Sequence, residues 1–163
     1  MNYEEHSKFM KEALKEADKA AEMGEVPVGA VIVKDSVVIG RGFNKTETAL
    51  LATSHAEIEA ISQAAEYLGN WRLSGCSMYV TLEPCAMCAG AAVLSRIENL
   101  FYGAADPKFG GCESIFQIPT DKRLNHRINV VGGLMADESS RKLRDFFRNL
   151  RNRKNIDKLK KTN

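Results

Sequence analysis

The chain has 163 residues, 44% of them hydrophobic and 27% charged, a size and balance that suit one compact soluble domain. No apolar run approaches the roughly 18 residues that span a bilayer, and Met1–Met10 lacks the apolar stretch of a secretory leader, so the expectation is a cytoplasmic protein with no membrane partner. Net charge is only +2 but unevenly spread: residues 1–140 carry 13 basic against 19 acidic side chains, and residues 141–163 carry 10 against 2. A basic tail on an acidic body points to an anionic partner such as nucleic acid.

Residues Glu4–Met23 place Phe9, Met10, Ala13, Leu14, Ala17, Ala20 and Ala21 on one arc at helical spacing, with Gly24 as a stop. Gly29–Lys34 and Ser36–Phe43 read as strands of a hairpin turning at Lys34-Asp35. A helix is expected from His55 to Leu68, a strand over Cys76–Leu82, a small-residue helix over Ala86–Leu94 and a strand over Asn99–Ala104. A loop runs from Ala105 to Pro119, followed by a strand over Ile128–Val131 and a helix from Glu138 to Arg153. This alternation predicts a single layered α/β domain with a mixed sheet across residues 1–153. The basic tail, Lys154–Asn163, is expected to be frayed or disordered.

Four cysteines, two of them three residues apart after a proline, fit metal binding or reduced thiols better than a disulfide framework. His55-Ala56-Glu57 and Pro84-Cys85-Ala86-Met87-Cys88 each stand where an expected helix begins. Two thiolates at i and i+3 of a first helical turn converge on one ion, and a distant histidine completes a Cys₂His set with the fourth tetrahedral position open, the mark of a catalytic zinc. The helix dipole there favours deprotonated cysteines. Glu57 falls on the same arc as Ile58, Ile61, Ala64, Ala65 and Leu68, so a carboxylate faces the core. Unpartnered burial of a carboxylate costs several kcal/mol, and proton transfer beside a metal supplies a reason for it. Taken alone, Cys-x-x-Cys also fits a redox pair or half of a structural zinc site. His6 and His126 lack a comparable context and are expected at the surface; Cys76 is expected to pack in the sheet, and Cys112 to be a bystander or a pocket residue.

His55-x-Glu57 with Pro84-Cys85-x-x-Cys88 matches the known signature of the zinc-dependent cytidine and adenine deaminases. Beyond it, Gly24-Glu25-Val26-Pro27-Val28-Gly29-Ala30-Val31, Gly42-Phe43-Asn44, Trp71-Arg72-Leu73, Val80-Thr81-Leu82-Glu83, Ser95-Arg96-Ile97 and Leu124-Asn125-His126-Arg127 resemble the bacterial tRNA-specific adenosine deaminases over nearly the whole length. That resemblance implies a cytidine-deaminase-like three-layer α/β/α sandwich around a five-stranded mixed sheet, one zinc ion per subunit and a homodimer. It also implies hydrolytic conversion of the wobble adenosine in a tRNA anticodon loop to inosine, with release of ammonia. Carried over, His55, Cys85 and Cys88 become the metal ligands and Glu57 the catalytic proton carrier. Asn44, the backbone at Ala56, Pro84 and Lys108 become substrate contacts.

Two stretches depart from that family pattern: Ala52-Thr53-Ser54 before His55, and Cys112-Glu113 in the loop opened by Asp106-Pro107-Lys108. A carboxylate bordering RNA would repel phosphates, which keeps open deamination of a free base or nucleoside such as guanine, cytosine or a related heterocycle. A third alternative is a non-catalytic zinc module that binds RNA through the basic last helix. In the last helix, Arg141, Arg144, Arg148 and Arg151 adjoin the apolar stripe Leu143, Phe146, Phe147 and Leu150; that basic arc suits RNA phosphates or simple solvation.

Overall fold

The computed structural model describes residues 2–161. In chain order the elements are α1 (Tyr3–Glu22), β1 (Gly29–Lys34), β2 (Val37–Phe43), the single-turn α2 (Thr46–Ala49), α3 (Ala56–Leu68), β3 (Ser77–Leu82), α4 (Ala86–Leu94), β4 (Asn99–Ala104), β5 (Asn129–Val131) and α5 (Ala136–Lys161). A 3-10 turn, Ile118–Thr120, breaks the long connection before β5. The five strands run in the order β2-β1-β3-β4-β5. β1 is antiparallel to both β2 and β3, whereas β4 is parallel to β3 and β5. The expected mixed sheet is therefore present, with α4 as the crossover that parallel β3 and β4 require.

Alternation along the strands divides the interior into two cores. On one face Ala30, Ile32, Met78, Val80, Leu100 and Tyr102 meet Ala56, Ala60 and Ala64 of α3 and Ala89, Ala92 and Val93 of α4. On the other face Val31, Val33, Tyr79 and Phe101 meet Phe9, Met10, Ala13 and Leu14 of α1, with Leu134 just before α5. A sheet sandwiched between α3/α4 and α1/α5 is the three-layer α/β/α arrangement. Among the described residues no helix is long and apolar enough to cross a membrane.

The alanines of α3 face glycines on β2, and this close seating positions the site. A methyl group built on Gly42 would fall on the Ala56 carbonyl and 2.7 Å from the Ala60 amide nitrogen; one on Gly40 would lie 2.9 Å from the Ala64 amide nitrogen. These are backbone atoms that cannot yield, so the start of α3 rests directly on the strand. At its far end α3 stops at Gly69, whose left-handed φ of 59° lets Gly69 and Asn70 close on the last-turn carbonyls of Glu66 and Ala65.

Four details differ from the sequence expectations. The hairpin turns at Asp35-Ser36, both at positive φ, rather than at Lys34-Asp35; this is the turn geometry that matches strand twist. The tail expected to be frayed from Lys154 continues α5 as far as Lys161. Its Lys and Leu are good helix formers and no Gly or Pro interrupts them; residues 162 and 163 lie outside the described residues. His6 is half-buried, stacked on Phe101 with its Nδ1 2.8 Å from the Tyr79 hydroxyl. His126 is likewise half-buried, with Nε2 2.7 Å from the Ile97 carbonyl. Cys76 packs buried just ahead of β3, as expected.

Candidate metal centre and active-site cleft

His55 and Cys85 are the N-cap residues of α3 and α4, and Cys88 is buried in the first turn of α4. Two helix starts thus converge, and His55 Nδ1 lies 3.7 Å from Cys85 Sγ and 3.6 Å from Cys88 Sγ. All three ligand atoms fall within 4.8 Å of one another. Tetrahedral bonds of ~2.0 Å to nitrogen and ~2.3 Å to sulfur separate such atoms by roughly 3.6 Å, so the group already has the spacing of a metal site. The two thiols shift each other in opposite directions. Hydrogen bonding from Cys88, then from His55, holds Cys85 down to about 4, and the bond to Cys85 together with burial pushes Cys88 up. A divalent cation at their focus would favour the thiolate form of both.

Glu57 occupies the first turn of α3 with 3% of its surface exposed. Burial pushes its carboxyl up to about 7, against the smaller opposing influences of its own backbone amide and His55. A carboxyl poised there both accepts and donates protons near neutral pH. Glu57 faces inward as expected, but the buried arc is Ala56, Glu57, Ala60 and Ala64, and Ile58, Ile61, Ala65 and Leu68 are only half-buried beside it.

A cleft of about 450 Å³ opens over this group, and His55, Ala56, Glu57, Cys85 and Asn44 all contribute to its wall. That size lies within the usual range for small-ligand sites. The Asn44 side chain accepts from the Thr46 hydroxyl at 2.7 Å. His55 makes no side-chain cap on α3, so the first-turn N–H groups at Ala56 and beyond have no partner from it and suit a polar ligand. Pro84 and Lys108, expected as substrate contacts, do not line the cleft. Pro84 is fully buried and its carbonyl accepts from Gly111 at 2.7 Å. Lys108 is exposed between two lining residues, Asp106 and Phe109.

The sequence reading passed over two buried carboxylates that also line the cleft. Glu83 accepts from the amides of Asp106 at 2.9 Å, Cys112 at 3.2 Å, Glu113 at 2.8 Å and Ser114 at 2.9 Å, and from the Ser114 hydroxyl. Burial raises its pKa, but these donors prevail and the carboxyl is held below its ordinary range. Glu25 accepts from the amides of Glu47 at 3.3 Å and Thr48 at 2.5 Å, fixing α2. Both glutamates stand in stretches that carry the family resemblance, and that was the only signal available.

Cys112 and Glu113, the departures from that pattern, do not line the cleft. Cys112 is fully buried in the core, and the Glu113 carboxylate takes the Tyr102 hydroxyl.

The family model of MafB19-like deaminases matches residues 4–151. A tRNA-specific adenosine deaminase of Streptococcus pyogenes is 50% identical over 155 residues, covering 95% of this chain and 91% of the relative. The chain belongs to the tRNA-specific adenosine deaminase family. The corresponding protein of Bacillus subtilis is also 50% identical, over 90% of this chain and 91% of the relative. A solved structure from work on A-to-I editing by tRNA:A34 deaminases aligns with a TM-score of 0.80 and 47% identity, covering 83% of this deaminase and 98% of that chain. The five-stranded sheet with its flanking helices is thus the cytidine-deaminase-like fold.

Proposed function

We propose that this enzyme hydrolyses the wobble adenosine of a tRNA anticodon loop to inosine and ammonia, using one zinc ion held by His55, Cys85 and Cys88. The observation that carries the chemistry is the convergence of a Cys₂His group with a fully buried, proton-poised Glu57. The relatives' named activity, at half identity over nearly the full length, supports the substrate. The departures at Cys112 and Glu113 do not weigh against it, since neither side chain lines the cleft.

Zinc bound to the three ligands would supply Lewis-acid activation of the attacking water. Glu57 takes one proton from that water as the oxygen bonds to C6 of adenine and passes it to the ring nitrogen, then takes the remaining proton of the new hydroxyl and passes it to the amine as the C6–N bond breaks. Water and adenosine are consumed, and inosine and ammonia leave. Asn44 and the backbone at Ala56 hold the base, which must be splayed from its loop to enter the cleft. Lys108, exposed beside the cleft, suits a phosphate.

A homodimer is supported by exposed Leu94 at the end of α4 and exposed Ile115 and Phe116, which precede the 3-10 turn packed on α4. Sedimentation should give twice the chain mass of 18.0 kDa; a single-chain mass at micromolar concentration contradicts it. A cytoplasmic location follows from a tRNA substrate.

The test is an anticodon stem-loop carrying a wobble adenosine, set beside free adenine, guanine and cytosine, with inosine and ammonia assayed. Inosine in the RNA is the expected outcome; ammonia from a free base alone would favour the free-base deaminases instead. Stripping metal with a chelator should abolish turnover and lower stability by about 4 kcal/mol, where zinc had stood at a thousandfold its Kd. Zinc should restore both. Full activity in metal-free protein would remove the metal assignment.

A further inference from the structure

We propose that Phe109 is a stacking platform for a nucleobase adjoining the target adenosine, so that it selects a single-stranded RNA context over a free nucleoside. This rests on the RNA reading above and deepens it. Phe109 lines the same cleft as His55 and Glu57, yet 69% of its surface is exposed. A phenyl ring left in water forgoes the stabilisation that burial would bring, and here the backbone that carries it is pinned. Its amide donates to Asp106 Oδ1 at 3.2 Å, the following Gly110 amide donates to the Asp106 carbonyl at 2.9 Å, and Glu83 holds the loop on both sides of it. Gly110 is seated so tightly that a methyl group there would lie 2.5 Å from the Glu83 carboxyl carbon. The ring is therefore presented on a fixed turn.

Its surroundings fit a nucleic-acid strand. Lys108 is exposed next to it, and Leu50 and Leu51, which follow the cleft-lining residues of α2, are 90% and 53% exposed. Apolar faces beside a cation are what a strand with unstacked bases requires: every base has a π-face, and phosphates accompany it. A free nucleoside filling the inner cleft would have no second base to lay on Phe109.

The experiment compares wild-type protein with Phe109→Ala, Phe109→Tyr and Phe109→Trp on two hairpins, one intact and one lacking the bases that flank the wobble adenosine. Phe109→Ala should raise KM for the intact hairpin about tenfold, in keeping with base stacking on an aromatic residue, with a much smaller change in kcat. Tyr and Trp should restore it. On the hairpin without flanking bases, wild type and Phe109→Ala should converge. An unchanged KM, or a KM penalty of equal size on both hairpins, overturns the platform. So does a loss confined to variants whose sedimentation shows a broken dimer, because the ring would then be packing on a second copy. Wild-type protein that leaves hairpin adenosine intact overturns the substrate reading and the platform with it.

Discussion

Exchanging Glu57 for glutamine is expected to slow deamination by about 10²–10⁴-fold, the usual contribution of a positioned proton carrier, while the bound metal stays in place. Glutamine preserves the shape and the position on α3 but can neither take a proton from water nor return one to the leaving amine. Because the side chain is buried and its carboxyl sits up at about 7, the folded protein already bears the cost of housing an ionisable group. Removing it should leave the thermal midpoint unchanged or higher. The combination separates the proposed role from a structural one: metal content equal to wild type, stability retained, turnover lost. Turnover within a few fold of wild type would remove Glu57 from the chemistry.

A second large effect is expected at Glu83. Glu83→Gln leaves one acceptor oxygen where two receive four amides and a hydroxyl, and turns an NH₂ group toward N–H donors. Each buried donor left unsatisfied costs ~1–3 kcal/mol, so a loss of several kcal/mol should appear in denaturant unfolding. Glu83→Leu should be worse, since no acceptor remains. The damage should concentrate in the loop from Asp106 to Ser114, where hydrogen exchange of the freed amides should accelerate. An unfolding midpoint equal to wild type would mean that the loop is held by its other contacts, the bond from the Gly111 amide to the Pro84 carbonyl among them.

The contrast between these residues explains what could be read from the chain. His55, Glu57, Cys85 and Cys88 were legible because helix geometry alone, a first turn at i and i+3 and an inward arc, brings such side chains to the correct face. β1, α4 and β4 were legible to the residue because unbroken apolar runs end at turn-forming residues. Glu25 and Glu83 were not, because their partners are backbone amides between 22 and 31 positions away. No local pattern records a bond of that kind. α2 is one turn long with no buried residue, too short to show a period. The parallel pairing of β3 with β4 needs the crossover, whereas the buried half of His6 depends on where α1 crosses Phe101.

The glycines of β2 have one further consequence. α3, with the ligand at its start, is held by backbone lying on backbone, at Gly40 and Gly42, whereas the walls at Thr46–Glu47 and Asp106–Phe109 are held largely by side chains, Glu25 and Asn44 for the first and Glu83 and Asp106 for the second. The α3 half of the reaction centre is therefore anchored independently of the Thr46–Glu47 wall, whereas the Asp106–Phe109 wall is tied to the segment that carries Cys85. A lineage could reshape the Thr46–Glu47 wall by point substitution, and so exchange one amino-bearing base for another, without disturbing the seat of His55 and Glu57. The glycines themselves would be the last residues free to change.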